Sequence, residues 1–584
     1  MKLFDLSEIE SGASLDCDLV IVGGGPAGLA IAREFFAAPQ RVLIIESGGF
    51  AESAETEALN KVENVEGWTE AQAQKRVEFH GVNAKKWSHA NQGFGVRCRV
   101  LGGSTQAWAG KSALFDDMDF EARPWAPRSG WPINRAALEP YFDRAAAFLN
   151  LGPNIYDEGL WRQIPGGAPK IRPDPKVLRS FFWQFARSRI DQFDLLRVGQ
   201  EFAREQAENI QVLLNATVVQ VLTDETGQAF DGVEIAGAAG KRVRIRAKAG
   251  ILSASAIENA RLLLASRAVH KNGLGNQHDL VGRFLMDHPG ARIARFRVED
   301  IPKVAGRFGF YGVPHDKGVS MYMHGLAPSR ETQEQRQMLN CAVYMMEERA
   351  PDDPWDSLKR LLQRKSTSPF SDIKAVAGSP GLLAKGLGRR AFQSKLVPDF
   401  VKTFVTNQLI RFNPNFVVQE FQTGGLPHKL KGFVVDAITE QLPDSENRVT
   451  LSDSVDALGV PLARARWRVG EDSRRTLANL GRLLAEEFSR VGLPAPVLED
   501  WVAEDRVGDA VIIDMAHTAG TTRMSDDPKT GVVDANCQVH GVAGLYVAGA
   551  SVFPTSGHAN PTLMIVTLAV RLADFLKRDF SRAV

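Results

Sequence analysis

The stretch that most limits what this chain can fold into is Asp18-Leu-Val-Ile-Val-Gly-Gly-Gly-Pro-Ala-Gly-Leu-Ala30. Leu19 to Val22 is a short apolar, β-branched run that reads as a buried strand. Gly23, Gly25 and Gly28 follow in G-x-G-x-x-G spacing, and a helical pattern starts at once behind them. In such a unit the first glycine permits a tight turn and the second lets backbone approach a pyrophosphate. The third lets helix pack closely on strand, while Pro26 and Ala27 open a helix whose free N–H groups face the phosphates. A second strand, Arg41-Val-Leu-Ile-Ile45, delivers Glu46 and then Ser47, with Glu46 eighteen residues after Gly28, where a ribose-binding carboxylate belongs. The unit predicts a bound dinucleotide and leaves FAD and NAD open.

A chain of 584 residues exceeds the size at which one core stops growing, so more than one domain is expected. Apolar and charged contents of 44% and 24% are ordinary for a globular protein, and a net charge of +1 gives no reason to expect nucleic acid as the ligand. Cys17, Cys98, Cys341 and Cys537 are scattered, with neither metal-type spacing nor a disulfide framework. The first residues are polar and acidic, and no window approaches the roughly eighteen apolar residues of a spanning helix, so a cytoplasmic protein without a transmembrane segment is expected.

Along the chain, Ala51 to Ala90 reads as helix and loop leaving the first sheet. Arg99-Val-Leu-Gly-Gly-Ser-Thr105 and the following residues to Gly110 form a glycine loop that lets a planar ligand lie on bare backbone. Phe181 to Arg204 reads as an amphipathic helix, Ile210 to Leu222 as one or two strands, and Val233 to Ala247 as a hairpin. Strand, small-residue turn and helix recur at Ala249 to Ala265, returning the chain to the nucleotide sheet. From about residue 291 the pattern alternates: Ala291 to Val298, Phe416 to Phe421, Phe433 to Ile438, Arg448 to Leu451 and Ala463 to Trp467 predict an antiparallel sheet, with a long helix at Ser473 to Val491 behind it. Asp356 to Val405 carries ten Lys/Arg against three Asp/Glu. It is read as a solvated helical insertion, with a membrane-surface or lid role as the alternatives.

These readings predict an α/β (α+β) protein. A Rossmann-like nucleotide domain is assembled from residues 1–140, 206–290 and 501–584, with a connection at 141–205. Residues 291–500, including the basic insertion 356–405, form a substrate domain with a mainly antiparallel sheet and helices.

Near the C-terminus, His517 lies among glycine and threonine in a loop, where no helical face accounts for it. Histidine is the side chain best suited to exchange a proton near neutral pH. Asn560, before a proline, starts the last helix and could turn its amide to the same cavity. A base and an amide donor are what alcohol oxidation needs.

The chain resembles the glucose–methanol–choline (GMC) flavoprotein oxidoreductases over nearly its whole length. The matching motifs are Gly23 to Gly28 with Glu46, Arg99 to Thr105, Ala256-Ile-Glu-Asn-Ala-Arg-Leu-Leu263, Val281-Gly-Arg-Phe-Leu-Met-Asp-His-Pro289, His517-Thr-Ala-Gly-Thr-Thr-Arg-Met524 and Asn560-Pro-Thr-Leu563. Trp108, Ser129-Gly-Trp-Pro-Ile133 and the His/Asn choice look most like the pyranose oxidase and bacterial sugar or glycoside dehydrogenase branch. The chain departs from the pattern at Asn259-Ala260, where Thr-Pro is usual, and at Trp108, which displaces an asparagine. At Gln106 pyranose oxidases carry the histidine that bonds covalently to FAD.

The resemblance implies FAD, noncovalently held, as the cofactor. Its contacts would be Gly23, Gly25, Pro26, Ala27, Gly28, Glu46, Ser47, Arg99, Gly102, Gly103, Ser104, Thr105, Val219, Ala254, Gly549, Ala550, Asn560, Pro561 and Thr562. It implies His517 and Asn560 as the catalytic pair, with Gln106 and Gln441 joining them on the substrate face, and no metal. The implied reaction is hydride transfer from an alcohol, a secondary hydroxyl of a sugar or glycoside, to the flavin. Oxygen, a quinone or an electron carrier would be the acceptor, and homo-oligomer formation is left open. The alternatives are a GMC-type enzyme for a non-sugar alcohol and a lyase-like member that binds FAD without net oxidation.

Overall fold

The computed structural model describes residues 1–584 apart from 82–83, 85–86, 191–193, 238–239, 316–317, 351, 363–367, 382–396, 413–429 and 583–584. An eight-stranded sheet forms around Ser14–Val22, whose apolar end from Leu19 is buried on both faces, as a parallel strand covered by helices must be. The strand order is Lys2–Asp5, Ile210–Leu214, Val42–Ile45, Ser14–Val22, Arg242–Leu252, Phe230–Ala236, Thr217–Thr223. The strands are parallel as far as Arg242–Leu252, with Leu19 opposite Val42 and Ile251 opposite Ile21, and an antiparallel meander completes the edge. Leu545–Val547 adds a further parallel strand against Gly250 to Leu252. The last long helix, Thr562–Arg582, buries Leu563, Val566, Val570 and Leu572 and packs on both the Pro26–Glu34 and Glu139–Phe148 helices.

A second, antiparallel sheet of nine strands runs Val497–Leu498, Pro289–Phe296, Leu430–Thr439, Cys341–Arg349, Gly318–Pro328, Leu178–Phe185, Lys111–Ser112, with Phe310–His315 and Ile513–Asp514 attached. The Glu471–Arg490 helix covers it, seating Leu477, Leu480, Leu484 and Phe488 among Ile293, Phe296, Val343 and Val435.

Several sequence expectations differ from this. Phe181 to Arg204 is not a helix. Leu178–Phe185 is an aromatic, almost wholly buried strand paired with Gly318–Pro328, and helix appears only at Val198–Phe202. Five bulky aromatic or apolar positions in eight suit a pleated surface better than a half-solvated helix. Arg448–Val455 and Pro461–Arg466 do not join the nine-stranded sheet but pair with each other and with Val62–Asn64 as a three-stranded sheet. The Phe416 to Phe421 segment lies outside the described residues. Within the basic insertion the helices Pro354–Leu362, Pro369–Ala377 and Asp399–Phe412 form, and none of its described residues lines the central cavity. Phe370, Phe400, Phe404 and Phe412 stand exposed on them. All four cysteines are buried free thiols. Among the described residues no helix is long and apolar enough to cross a membrane, and no side-chain group is arranged to hold a metal.

Candidate active site

A cavity of about 370 Å³ lies where the two large sheets meet. At one end the opening glycines divide their labour. Gly23 has φ +103°, and a Cβ there would come 2.7 Å from the Ser253 carbonyl oxygen. A Cβ on Gly28 would come 2.2 Å from the Gly23 carbonyl oxygen, so this residue is required for helix-on-strand packing and does not itself line the cavity. A Cβ on Gly25 would meet nothing within 4 Å, because the position opens onto the cavity between Gly23, Pro26 and Ala27. The Glu46 carboxylate accepts hydrogen bonds from the backbone N–H of Gly24 (2.8 Å) and Gly48 (2.9 Å). Burial nevertheless raises its acid to about 7, against the pull of those amides. Beside it Arg99 donates to Ser47 Oγ at 3.0 Å.

Gly103, Ser104, Thr105, Ala254, Gly549, Ala550, Pro561 and Thr562 also line the cavity. Gly102 does not. Its φ is +100°, its N–H donates to the Gly24 carbonyl at 2.7 Å, and it shapes the loop from behind. Val219 is buried on its strand, and Thr217 and Val218 face the cavity in its place.

The chemistry of this wall fits FAD. It offers a helix N-terminus, a cradle that a side chain at Gly25 would fill, and an acid poised for ribose hydroxyls. Among the buried polar atoms of the cavity wall, Ser255 Oγ and Asn560 Oδ1 have no hydrogen-bond partner among the described residues.

At the other end the structure brings together His517 and Asn560, forty-three residues apart, with Asn560 Nδ2 3.1 Å from His517 Nε2. The other ring nitrogen, Nδ1, lies 3.0 Å from Nδ1 of buried His288, whose Nε2 is 3.2 Å from the Ser556 carbonyl oxygen. That carbonyl can only accept, and this fixes the whole chain of protons. His288 must carry its proton on Nε2, so its Nδ1 accepts from His517 Nδ1–H. His517 Nε2 is thereby left with a lone pair at the cavity, facing the amide of Asn560. Burial first, and then neighbouring groups that would repel a second positive charge, Lys111 among them, hold the His517 imidazolium well below its ordinary pKa, so the ring is neutral like His288.

One carboxylate oxygen holds both histidine segments. Asp287 Oδ1 accepts from the backbone N–H of Met515 (2.9 Å), His517 (3.1 Å) and His288 (2.8 Å). Ala516, between the first two, adopts φ +60°, a conformation costly for a residue with a side chain and sustained here by that grip.

Two expected substrate residues are placed elsewhere. Gln441 has its amide committed, Oε1 accepting from Trp467 Nε1 (2.7 Å) and the Asp287 N–H (3.1 Å), Nε2 donating to the Arg468 carbonyl (2.7 Å). It supports Asp287 from behind and does not reach the cavity. Gln106 also lies off the cavity wall, its side-chain Nε2 buried without a hydrogen-bond partner among the described residues. The sequence reading did not assign roles to Asp287 and His288, although both stand in the Val281 to Pro289 motif. Lys111 and Tyr344, which sequence patterning does not single out, reach the cavity from the nine-stranded sheet. A lone lysine among small residues carries no signal until the sheet places it.

Residues 443–569 match the profile of the GMC oxidoreductase family. From end to end the chain is similar to 2-methyl-1,2-propanediol dehydrogenase of Mycolicibacterium austroafricanum, at 24% identity over 97% of this chain and 96% of that protein. The chain belongs to the GMC oxidoreductases. A second relative of this oxidoreductase is the fructose dehydrogenase large subunit of Gluconobacter japonicus, 22% identical over 98% of this chain and all of that protein (100%). Among solved structures, pyridoxine 4-oxidase from Mesorbium loti shares the fold, with a TM-score of 0.53 at 16% identity, covering 96% of this chain and 99% of that one. GMC oxidoreductases are flavoproteins that use FAD, and this one is an enzyme of the class that oxidises CH–OH groups.

Proposed function

We propose that this oxidoreductase converts a secondary hydroxyl of a sugar or glycoside to the carbonyl, with His517 as the base. The observation that carries this reading is the Ser556–His288–His517 relay, which leaves His517 Nε2 unprotonated at the cavity wall beside Asn560. FAD, when bound, supplies the acceptor for the hydride that leaves the carbon. Gly25, Glu46, Ser47 and the Ser104 and Gly549 loops would hold it. Gln106, an amide where relatives of the pyranose oxidase branch carry a histidine, supports noncovalent attachment.

His517 takes the hydroxyl proton at Nε2, in the position that the Asn560 amide occupies in the absence of substrate. Asn560 Nδ2–H then turns to the substrate oxygen and stabilises the developing alkoxide. His288 and the Ser556 carbonyl keep the accepting nitrogen in the correct tautomer, and Asp287 fixes the ring's position. In this reading the eight-stranded sheet serves the cofactor and the nine-stranded sheet the substrate.

The test is anaerobic bleaching of the flavin by a panel of sugars, glycosides and aliphatic alcohols, followed by reoxidation with air or a quinone. Sugars should bleach the wild-type flavin. His517→Ala should retain bound FAD and bleach roughly 10²–10⁴-fold more slowly. Bleaching by diols in preference to sugars would favour a non-sugar alcohol, the class named by the propanediol-oxidising relative. Normal bleaching of the variant would overturn the base.

A further inference from the structure

Lys111 stands on the short edge strand Lys111–Ser112 of the nine-stranded sheet, and its side chain enters the cavity at the end where His517 lies. Its ammonium nitrogen sits 3.7 Å from the centroid of the Tyr344 ring and 4.1 Å from that of Trp183. No carboxylate or hydrogen-bond acceptor among the described residues meets it. Asp436, the one acid whose field reaches it, is bound by Arg292 at 3.3 Å.

The other cations of the cavity wall are different. Arg97, Arg99 and Arg261 share Glu258, and Arg261 also pairs with Asp456. Lys111 alone on this wall has aromatic faces and no acid. Two ring faces offset part of the cost of holding a cation out of water, and they leave its three N–H donors unused. Burial accordingly drags the ammonium down to about 7, so the group beside the reacting end lacks a partner for its charge, and an anion bound there would restore its proton.

We propose that Lys111 is the recognition point for an anionic group, carboxylate or phosphate, on the hydroxyl-bearing substrate, so that the site takes acidic sugars in preference to neutral ones. The inference rests on the cavity being the alcohol-oxidising site. It names the substrate class for that reading: a uronic or aldonic acid or a sugar phosphate, held by its charge against Lys111 while a hydroxyl faces His517. The strength of an ammonium–carboxylate hydrogen bond released from water is what makes the discrimination large.

Two measurements on the FAD-loaded enzyme test it. In the first, acetate and inorganic phosphate are titrated into oxidised wild type, Lys111→Met and Lys111→Arg, reading the flavin absorbance. A saturable perturbation is expected in wild type, at least tenfold weaker in Lys111→Met and partly restored in Lys111→Arg. In the second, anaerobic flavin reduction by glucuronate, glucose 6-phosphate and glucose is compared. Wild type should favour at least one anionic sugar tenfold or more in kcat/KM, and Lys111→Met should lose that ratio through KM. The stronger of glucuronate and glucose 6-phosphate identifies the group as carboxylate or phosphate. No anion binding in wild type, or equal loss of anionic and neutral substrates in Lys111→Met, overturns the proposal, the second result assigning Lys111 to the flavin. Anion binding intact with no alcohol bleaching the flavin would instead overturn the oxidation reading and leave the Lys111 site standing.

Discussion

Ser556 contributes one carbonyl oxygen, 3.2 Å from His288, and that oxygen decides which nitrogen of His517 is basic. Replacing His288 with phenylalanine keeps the ring volume and removes the acceptor. Leaving a buried N–H unpaired costs about 1–3 kcal/mol, which is about 5- to 150-fold. His288→Phe should therefore slow flavin reduction by that factor with KM little changed, as single-turnover kinetics would show. Glu46 is a second residue-scale case. Its folded pKa, about 7, exceeds its ordinary value of 4.5, so the folded state holds a proton that the unfolded chain has lost between those limits. Stability of the FAD-free protein should thus fall as pH rises from 4.5 to 7, and Glu46→Gln should flatten that slope in thermal unfolding. The meeting of His517 and Asn560 was legible because their residue types suit a proton acceptor and a donor in one cavity. The His288 role was not, because it depends on a carbonyl 268 residues distant.

The Pro26–Glu34 helix separates two functions that the glycine spacing merges. Gly28→Ala would place a Cβ 2.2 Å from the Gly23 carbonyl oxygen, and overpacking of that kind costs typically 1–3 kcal/mol. Gly25→Val would put its side chain into open cavity, since this residue has no positive φ and no neighbour within 4 Å. Gly28→Ala should lower the melting temperature whether or not FAD is present. Gly25→Val should melt as wild type when FAD-free and bind little FAD, read from the absorbance ratio of flavin to protein. The strand, turn and helix here were legible because period, turn chemistry and terminal acid agree over one short segment. Leu178–Phe185 was misread because its neighbours are remote: a run of aromatics with arginines fits a helix face or a buried strand, and only pairing with Gly318–Pro328 decides.

At the scale of the molecule, the parallel nucleotide sheet and the antiparallel character of the second sheet follow from local patterning. The assignment of Arg448–Val455 and Pro461–Arg466 to a third sheet does not. What ties the parts together includes a buried ion pair, Arg76 to Asp514 at 2.6 Å, joining the Glu70–His80 helix to the segment that leads into His517. Burial opposes the Asp514 charge, but Arg76 overrides it and holds the carboxyl below its usual range. Removing one partner of such a pair typically costs about 3–5 kcal/mol. Arg76→Met should show that loss in urea unfolding at neutral pH. Its deficit should shrink as pH falls below the ordinary carboxylate range near 4, where the wild-type pair loses its advantage. The strand Arg242–Leu252 carries Ser14–Val22 along one edge and both Phe230–Ala236 and Leu545–Val547 along the other. A ribosome therefore releases the phosphate loop early, the middle of the sheet much later, and the strand and helix that complete the wall later still. Cofactor capture belongs to the closing stage of synthesis, and until then the growing polypeptide presents an open sheet edge that invites chaperone protection.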